Sequence, residues 1–413
     1  MAKKEHIVVG LDIGTTKICA IVAEVTDDDN VNIIGVGSSP SRGLRKGVVV
    51  NIESTVESIK KAVEEAELMA AVQINSVYIG IAGSHIASET AHGVVALKRQ
   101  EVSRADMQRA VDTARSAAVV SSERRILHVL PREFIVDDQD GIREPVGISG
   151  SRLEVDVHIV TGAVTSAQNL IKCVNRAGLD VVDIVLQPLA SSEAVLTEEE
   201  REMGIVMVDL GGGTTDLAIF SEGSISHSAV LPVGGQQVTS DLQIGLRTSH
   251  ADAEKIKIRH GAALLSMVKD IETVEVPSVG GRPSRTISKL EVAEIIEPRI
   301  EEIFELVLRE IRRAGYEGKL SAGGVITGGT SLLMGMPDAT ERVLDLPCRR
   351  GVPSGVGGLR DIVSNPMFST GVGLILHAHR VDQEFEPIGI LGGRKGSNGG
   401  VLGRMKGWMS DFF

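Results

Sequence analysis

Two of the apolar runs along this chain end in the same kind of turn. Ile7-Val8-Val9 leads into DIGTTK, which begins at Asp12, and a second apolar run follows at 18–22. Ile205-Val206-Met207-Val208 leads into DLGGGTTD, which begins at Asp209, and 217–220 follows it. Each reads as strand, glycine turn, strand. Between them, 31–36 predicts a strand and 47–51 a turn. Residues 53–71 predict an amphipathic helix, with Val56, Ile59, Ala62, Val63 and Ala66 on one face. Residues 77–82 (VYIGIA) have the continuous apolar character of a buried strand.

The pattern changes over 84–156, which predicts a small inserted α+β subdomain. Val94-Val95-Ala96-Leu97 opens it, and a helix follows, capped at Ser103 with Asp106 three residues on. ILHVLPREFIVDD reads as a strand pair or as one bulged strand interrupted at Pro131. Residues 155–160 are expected to resume the parent sheet, with a helix at 166–177. Ser191-Ser192-Glu193 lies in a helix that links the two halves. Further helices are predicted at 237–246, 251–259 and 291–313, with VPSVGGRPSRTIS as a polar loop among them. Gly323-Gly324-Val325-Ile326-Thr327-Gly328-Gly329 returns as a strand into a third glycine turn.

This alternation predicts an α/β protein with mixed sheets. The expected division is 1–83 with 157–192 and about 373–386, the insert at 84–156, 193–236 with 321–372, and 237–320. Residues 382–400 lose periodicity and end rich in glycine, which predicts a flexible linker at 387–400. A last segment, 401–413, stands apart.

Composition narrows the class. The chain has 413 residues, 42% hydrophobic and 24% charged, as expected of a globular protein with a sizeable core. Aromatics are only 2%, so that core must rest on Val, Ile, Leu and Ala. A net charge of −12 argues against general nucleic-acid binding. Cys19, Cys173 and Cys348 lie far apart without zinc-ligand spacing and read as reduced thiols. The N-terminal residues lack a signal-peptide pattern, and no apolar run approaches the roughly 20 residues that span a bilayer.

The turns carry the candidate chemistry. Gly14, Gly211, Gly212 and Gly213 allow backbone N–H groups to approach an anion closely. Thr15, Thr16, Thr214 and Thr215 add hydroxyl donors, and Asp12 and Asp209 suit a hydrated Mg²⁺. Lys17 is placed to reach a phosphate as a point charge. Gly328 and Gly329 offer a turn for an adenine or ribose.

The order of these motifs resembles the superfamily of actin, Hsp70 and the sugar kinases. DIGTTK and DLGGGTTD resemble its two phosphate motifs, and ITGGTSLLMG its adenosine motif. LQPLASSEAVL and PMFSTGVGLIL resemble its two connecting helices. Within it, NIIGVGSSPSRGLRKGVVVNIEST, HGAALLSMVKDIETVEVPSVGGRPSR and EVAEIIEPRIEEI resemble the FtsA family of bacterial cell-division proteins. The resemblance implies an actin-like ATPase fold, two duplicated α/β halves around a nucleotide cleft, with ATP and Mg²⁺ as ligands. It implies that Glu254 and Lys257 in EKIKIRHG support the adenine and ribose. Gln187 takes the place of the water-orienting residue; an amide orients water but is a poor base, so turnover is expected to be slow or absent. The implied role is a filament-forming tether between the ring of tubulin-like FtsZ and the inner face of the cytoplasmic membrane at the division site. The family binds the C-terminal peptide of FtsZ and recruits later division proteins. For the peptide, Arg299 is the best single candidate; its alternative is a surface pair with Glu302.

The last segment reads without any family. On a helical wheel Val401, Leu402, Met405, Trp408, Met409, Phe412 and Phe413 fall within roughly 140°, with Arg404 and Lys406 outside that arc. At about 20 Å the helix is too short to span a bilayer and suits its anionic surface. Two other readings share the fold: an actin-like adaptor of pilus or secretion machinery, and a small-molecule kinase.

Overall fold

The computed structural model describes residues 6–26, 28–269, 271–280 and 282–385. The expected linker at 387–400 and the amphipathic segment at 401–413 lie outside the described residues. The chain begins with an antiparallel meander of β1 (His6–Ile13), β2 (Lys17–Val25) and β3 (Val31–Pro40). Val9, Leu11, Ile18 and Ala20 face one core, whereas Val8, Cys19, Ile21 and Ala23 face another. A sheet buried on both sides accounts for the unbroken apolar runs.

A short hairpin, β4 (Leu44–Arg45) and β5 (Val48–Val49), leads to α1 (Ile52–Ala70), whose cap Asn51 accepts the Ser54 N–H. The wheel face of α1 is the buried one. β6 (Ser76–Ile81) then runs parallel to β1.

The insert holds β7 (Ala87–Ala96), α2 (Arg104–Ala117), β8 (Arg124–Val136), β9 (Gln139–Ile142) and β10 (Arg152–Ala163). Its sheet has the order β7-β10-β8-β9. Ser103 and Asp106 form the expected capping box of α2. ILHVLPREFIVDD is one bulged strand: the register steps from Asp156–Glu133 to Val157–Pro131, leaving Arg132 unopposed. Residues 155–160 do not rejoin the parent sheet, contrary to expectation. They lie in β10, an inner strand of the insert's own sheet, so a boundary after 156 falls inside a continuous strand. Alternation identifies a strand but not its neighbours.

After α3 (Val164–Arg176), β11 (Asp180–Leu186) completes one edge of the six-stranded sheet. α4 (Gln187–Val195) and α5 (Glu198–Met203) lead to the second meander, β12 (Ile205–Leu210), β13 (Thr215–Ser221) and β14 (Ser224–Leu231). α6 (Gly235–Leu246) and α7 (His250–His260) follow. The expected polar loop is shorter than predicted, because its ends pair as β15 (Thr273–Val276) and β16 (Arg285–Ser288). α8 (Lys289–Arg313) closes this region over a core that contains the fully buried Phe304.

β17 (Gly323–Thr327) pairs parallel to β12, and α9 (Met336–Leu344) and β18 (Cys348–Arg350) extend that sheet's layer. β19 (Gly357–Gly358) pairs with β3, which stitches the second half's return to the first sheet. α10 (Arg360–Val363) and α11 (Ser369–Phe385) end the described chain. Helix α11 runs through 382–385, where periodicity predicted none. α4 and α11 cross at backbone distance: a methyl on Gly373 would lie 1.8 Å from the Ala190 carbonyl oxygen.

Candidate functional site

The two Asp–Gly turns meet on the wall of one cavity of about 550 Å³, within the usual range of roughly 300–1,000 Å³ for small-molecule sites. The turns close identically. Gly14 N–H donates to the Lys17 carbonyl at 3.0 Å, and Gly211 N–H donates to the Thr214 carbonyl at 3.0 Å. Thr15 and Thr16 of the first turn lie directly on Gly213 and Gly212 of the second. A methyl on Gly212 would come 2.3 Å from Thr16 Cγ2, and one on Gly213 would come 2.5 Å from Thr15 Oγ1. Thr15 Oγ1 also accepts the Gly47 N–H at 3.0 Å, which draws the β4–β5 hairpin onto the turn.

Three carboxylates line this end of the cavity: Asp12, Asp209 and Asp216. Gln187, the first residue of α4, donates from Nε2 to Asp12 Oδ1 at 3.2 Å. Burial pushes Asp12 up to about 6, with Lys17 pulling down and Asp209 adding to the rise. Asp209 accepts from Ser191 Oγ at 2.6 Å and from Thr370 Oγ1 at 3.3 Å, yet burial still raises it. Asp216 stands opposite Asp209 in the β12–β13 ladder and accepts from Thr214 Oγ1 at 3.0 Å. Burial, with Asp209 next, raises Asp216 well above its ordinary value. Its Oδ1 is buried without a hydrogen-bond partner. Desolvated carboxylates at such close quarters favour a proton or a cation. Among the described residues no three His, Cys, Asp or Glu side chains gather around a single ion. Carboxylate oxygens are the donor type that a hydrated divalent cation takes.

Lys17 lines the cavity, but its Nζ donates to the Met367 carbonyl and lies 4.3 Å from the Phe368 ring centre. Thr214 lines the cavity and Thr215 does not. The pleat of β13 turns Thr215 to the opposite face, where it is buried and donates to the Val233 carbonyl at 2.9 Å. Its expected role as a cleft donor is therefore corrected to one in the fold. The same alternation points Asp216, the last letter of DLGGGTTD, inward, and it joins the cavity lining beyond the expected residues.

The far end of the cavity is built on α7 and the third glycine turn. Lys257 is buried, 2.8 Å from Glu254 Oε2, and donates to the Gly235 carbonyl at 3.1 Å and to Thr239 Oγ1 at 2.9 Å. Ile258, Leu332, Leu333 and Met334 add apolar surface to this end. Gly328 (φ +81°) and Gly329 line the wall between the two ends. A methyl on Gly328 would lie 2.3 Å from Asp209 Oδ1, so the third turn rests directly on the second turn's carboxylate. Thr330, absent from the expected residues, secures it by donating to the Gly211 carbonyl at 3.1 Å.

Arg299 lies outside the cavity, on α8. Its Nε meets Asp241 Oδ2 at 2.6 Å and its Nη2 meets Oδ1 at 3.1 Å, a bidentate pair with α6. The pair with Glu302 is also present.

Known proteins share this architecture. Residues 206–373 match the family "Cell division protein FtsA", and 83–161 match "SHS2 domain inserted in FTSA". The cell division protein FtsA of Pseudomonas aeruginosa is 49% identical over 409 residues, covering 98% of each chain. The chain belongs to the FtsA family. The FtsA proteins of Neisseria meningitidis, 46% identical over the whole of both chains, and Escherichia coli, 45% identical over 91% of this chain and 90% of that one, agree. Membership makes this a cell-division protein with an inserted SHS2 domain, in place of the pilus-adaptor and kinase readings. Solved structures place the fold: MreB5 of Spiroplasma citri bound to AMPPNP has a TM-score of 0.57 at 15% identity, covering 92% of this chain and 98% of that one. A PilM–PilN type IV pilus biogenesis complex has 0.66 at 17%, covering 90% and 98%. The fold is that of the actin-like ATPases.

Proposed function

We propose that the cavity holds ATP with Mg²⁺, and that nucleotide-dependent assembly makes the protein a membrane tether for the FtsZ ring. The observation that carries this reading is the contact of two identically closed Asp–Gly turns beside three buried carboxylates. Backbone N–H groups of both turns suit the phosphates, and the apolar surface between Ile258 and Met334 suits a purine. Asp12 and Asp209 would hold the cation through water, with Asp216 lining the same cavity beside them. The cation would neutralise phosphate charge there. The AMPPNP complex of MreB5 and the MamK double helical filament, proteins of the same fold, support the nucleotide and filament parts of the reading.

Among the described residues no helix is long and apolar enough to cross a membrane. Residues 401–413 would supply a surface anchor instead. Each large side chain buried there contributes about 1.5–3 kcal/mol, against about 1–2 kcal/mol per residue for ordering the backbone. One tail binds weakly; a filament presents many at once. Arg299 is the proposed contact for an acidic FtsZ tail, and the inserted domain the proposed surface for later division proteins. Gln187 gives slow turnover or none, so ATP acts chiefly as an assembly ligand. Calorimetric titration of ATP with and without Mg²⁺ tests the first step: Mg²⁺-dependent binding is expected, and no binding in either condition overturns it.

A further inference from the structure

One imidazole of the insert reaches the strand that leads into the cleft. His128 lies in β8, opposite Val160 of β10. Its Nε2 accepts the N–H of Leu186 at 2.9 Å. A peptide N–H can only donate, so this nitrogen carries the lone pair and the ring proton sits on Nδ1. Desolvation, with His377 nearby, pushes His128 down to about 3, which keeps the ring neutral. Leu186 is fully buried at the end of β11, an edge strand of the six-stranded sheet, so its N–H has no further strand to meet. The next residue is Gln187, whose amide holds Asp12.

The same insert is fastened to the second half. His158 Nε2 is 2.9 Å from Ser228 Oγ, Ser88 Oγ donates to the Ser228 carbonyl at 2.8 Å, and Arg132 Nη2 donates to the Tyr316 hydroxyl at 3.0 Å. Ser224 Oγ donates to the Arg132 carbonyl at 3.0 Å, and Arg143 pairs with Glu202. The insert thus bridges both halves, and its hydrogen bond to Leu186 ends one residue from the cleft.

We propose that His128 is a positioning residue that couples the insert to the phosphate end of the cleft through Leu186 and Gln187. A shift of the insert against the second half moves β8, and with it the N-terminus of α4 and the amide on Asp12. A partner seated on the insert, the surface proposed above for later division proteins, then biases which nucleotide the cleft prefers. This rests on the ATP reading above, in which Gln187 takes the place of the water-orienting residue.

The test measures ATP and ADP affinities of the full chain with Mg²⁺. His128→Leu, which removes the acceptor, is expected to lower the preference for ATP over ADP by about fivefold or more. His128→Gln, whose amide oxygen falls near the Nε2 position, restores it. His128→Asn places its oxygen near Nδ1 instead and repeats the loss, which covers a failure of the leucine variant to fold. In a Gln187→Ala background the His128 substitution adds nothing, as expected when one residue acts through the other. Equal weakening of ATP and ADP, no rescue by glutamine, or an undiminished effect in the Gln187→Ala background each overturns the coupling. A parent chain that binds neither nucleotide overturns the ATP reading itself, and the coupling falls with it.

Discussion

Thr16 and Gly212, one from each half of the molecule, lie in direct contact, so that a methyl on Gly212 would come 2.3 Å from Thr16 Cγ2. The closeness of the two halves depends on this glycine having no side chain. Gly212→Ala is expected to wedge the turns apart and weaken ATP binding by about tenfold, roughly 1.4 kcal/mol. The melting temperature should change little, since Gly212 lies in a turn outside the buried hydrophobic clusters. Calorimetry and a thermal melt on the same sample check both parts.

Asp12 gives a pH dependence of definite sign. Its folded pKa of about 6 exceeds the ordinary 3.8, so the ligand-free fold holds this proton more tightly than the unfolded chain. The stabilisation is complete below the ordinary value and is lost as pH rises through about 6. The difference corresponds to roughly 2–4 kcal/mol. Asp12→Asn cannot ionise. Without ligand, its melting point should exceed the parent's at about pH 7.5, with the gap closing toward about pH 4.5. Mg²⁺-ATP should stabilise the parent far more than the variant.

Arg299 is already paired with Asp241 through two of its nitrogens. A peptide carboxylate docking there must compete with that pair. Arg299→Ala is expected to weaken binding of an FtsZ tail peptide by about tenfold. Asp241→Asn, which frees the guanidinium, should strengthen it. Fluorescence anisotropy of a labelled peptide reads both directions; a loss in both variants would instead mark a structural pair.

Removal of residues 401–413, leaving a chain that ends at Gly400, should abolish co-sedimentation with anionic vesicles while leaving ATP affinity unchanged. Undiminished sedimentation would place the membrane contact elsewhere.

Much of this site could be read from local chemistry. Asp12, Asp209 and the glycines between strands announce themselves by residue type and spacing, because a turn and its flanking strands are contiguous. Asp216 was equally legible in principle, since β-pleat alternation from Thr214 carries it inward and carries Thr215 away. β10 was harder: its apolar alternation marks a strand, but pairing with β7 and β8 rather than β11 is a long-range outcome. The link from His128 to Leu186 is of the same kind, for it joins residues that share no motif and meet only once both sheets are folded.

The most direct measurement is electron microscopy of the full chain on an anionic lipid monolayer with Mg²⁺-ATP, beside Asp12→Asn, Asp209→Asn and the chain ending at Gly400. Membrane-bound filaments are predicted for the parent, none for the two aspartate variants, and none on lipid for the truncated chain. Dispersed monomers in the parent, or filaments that persist on lipid in both aspartate variants, would contradict the claim that nucleotide in this cleft controls assembly at the membrane.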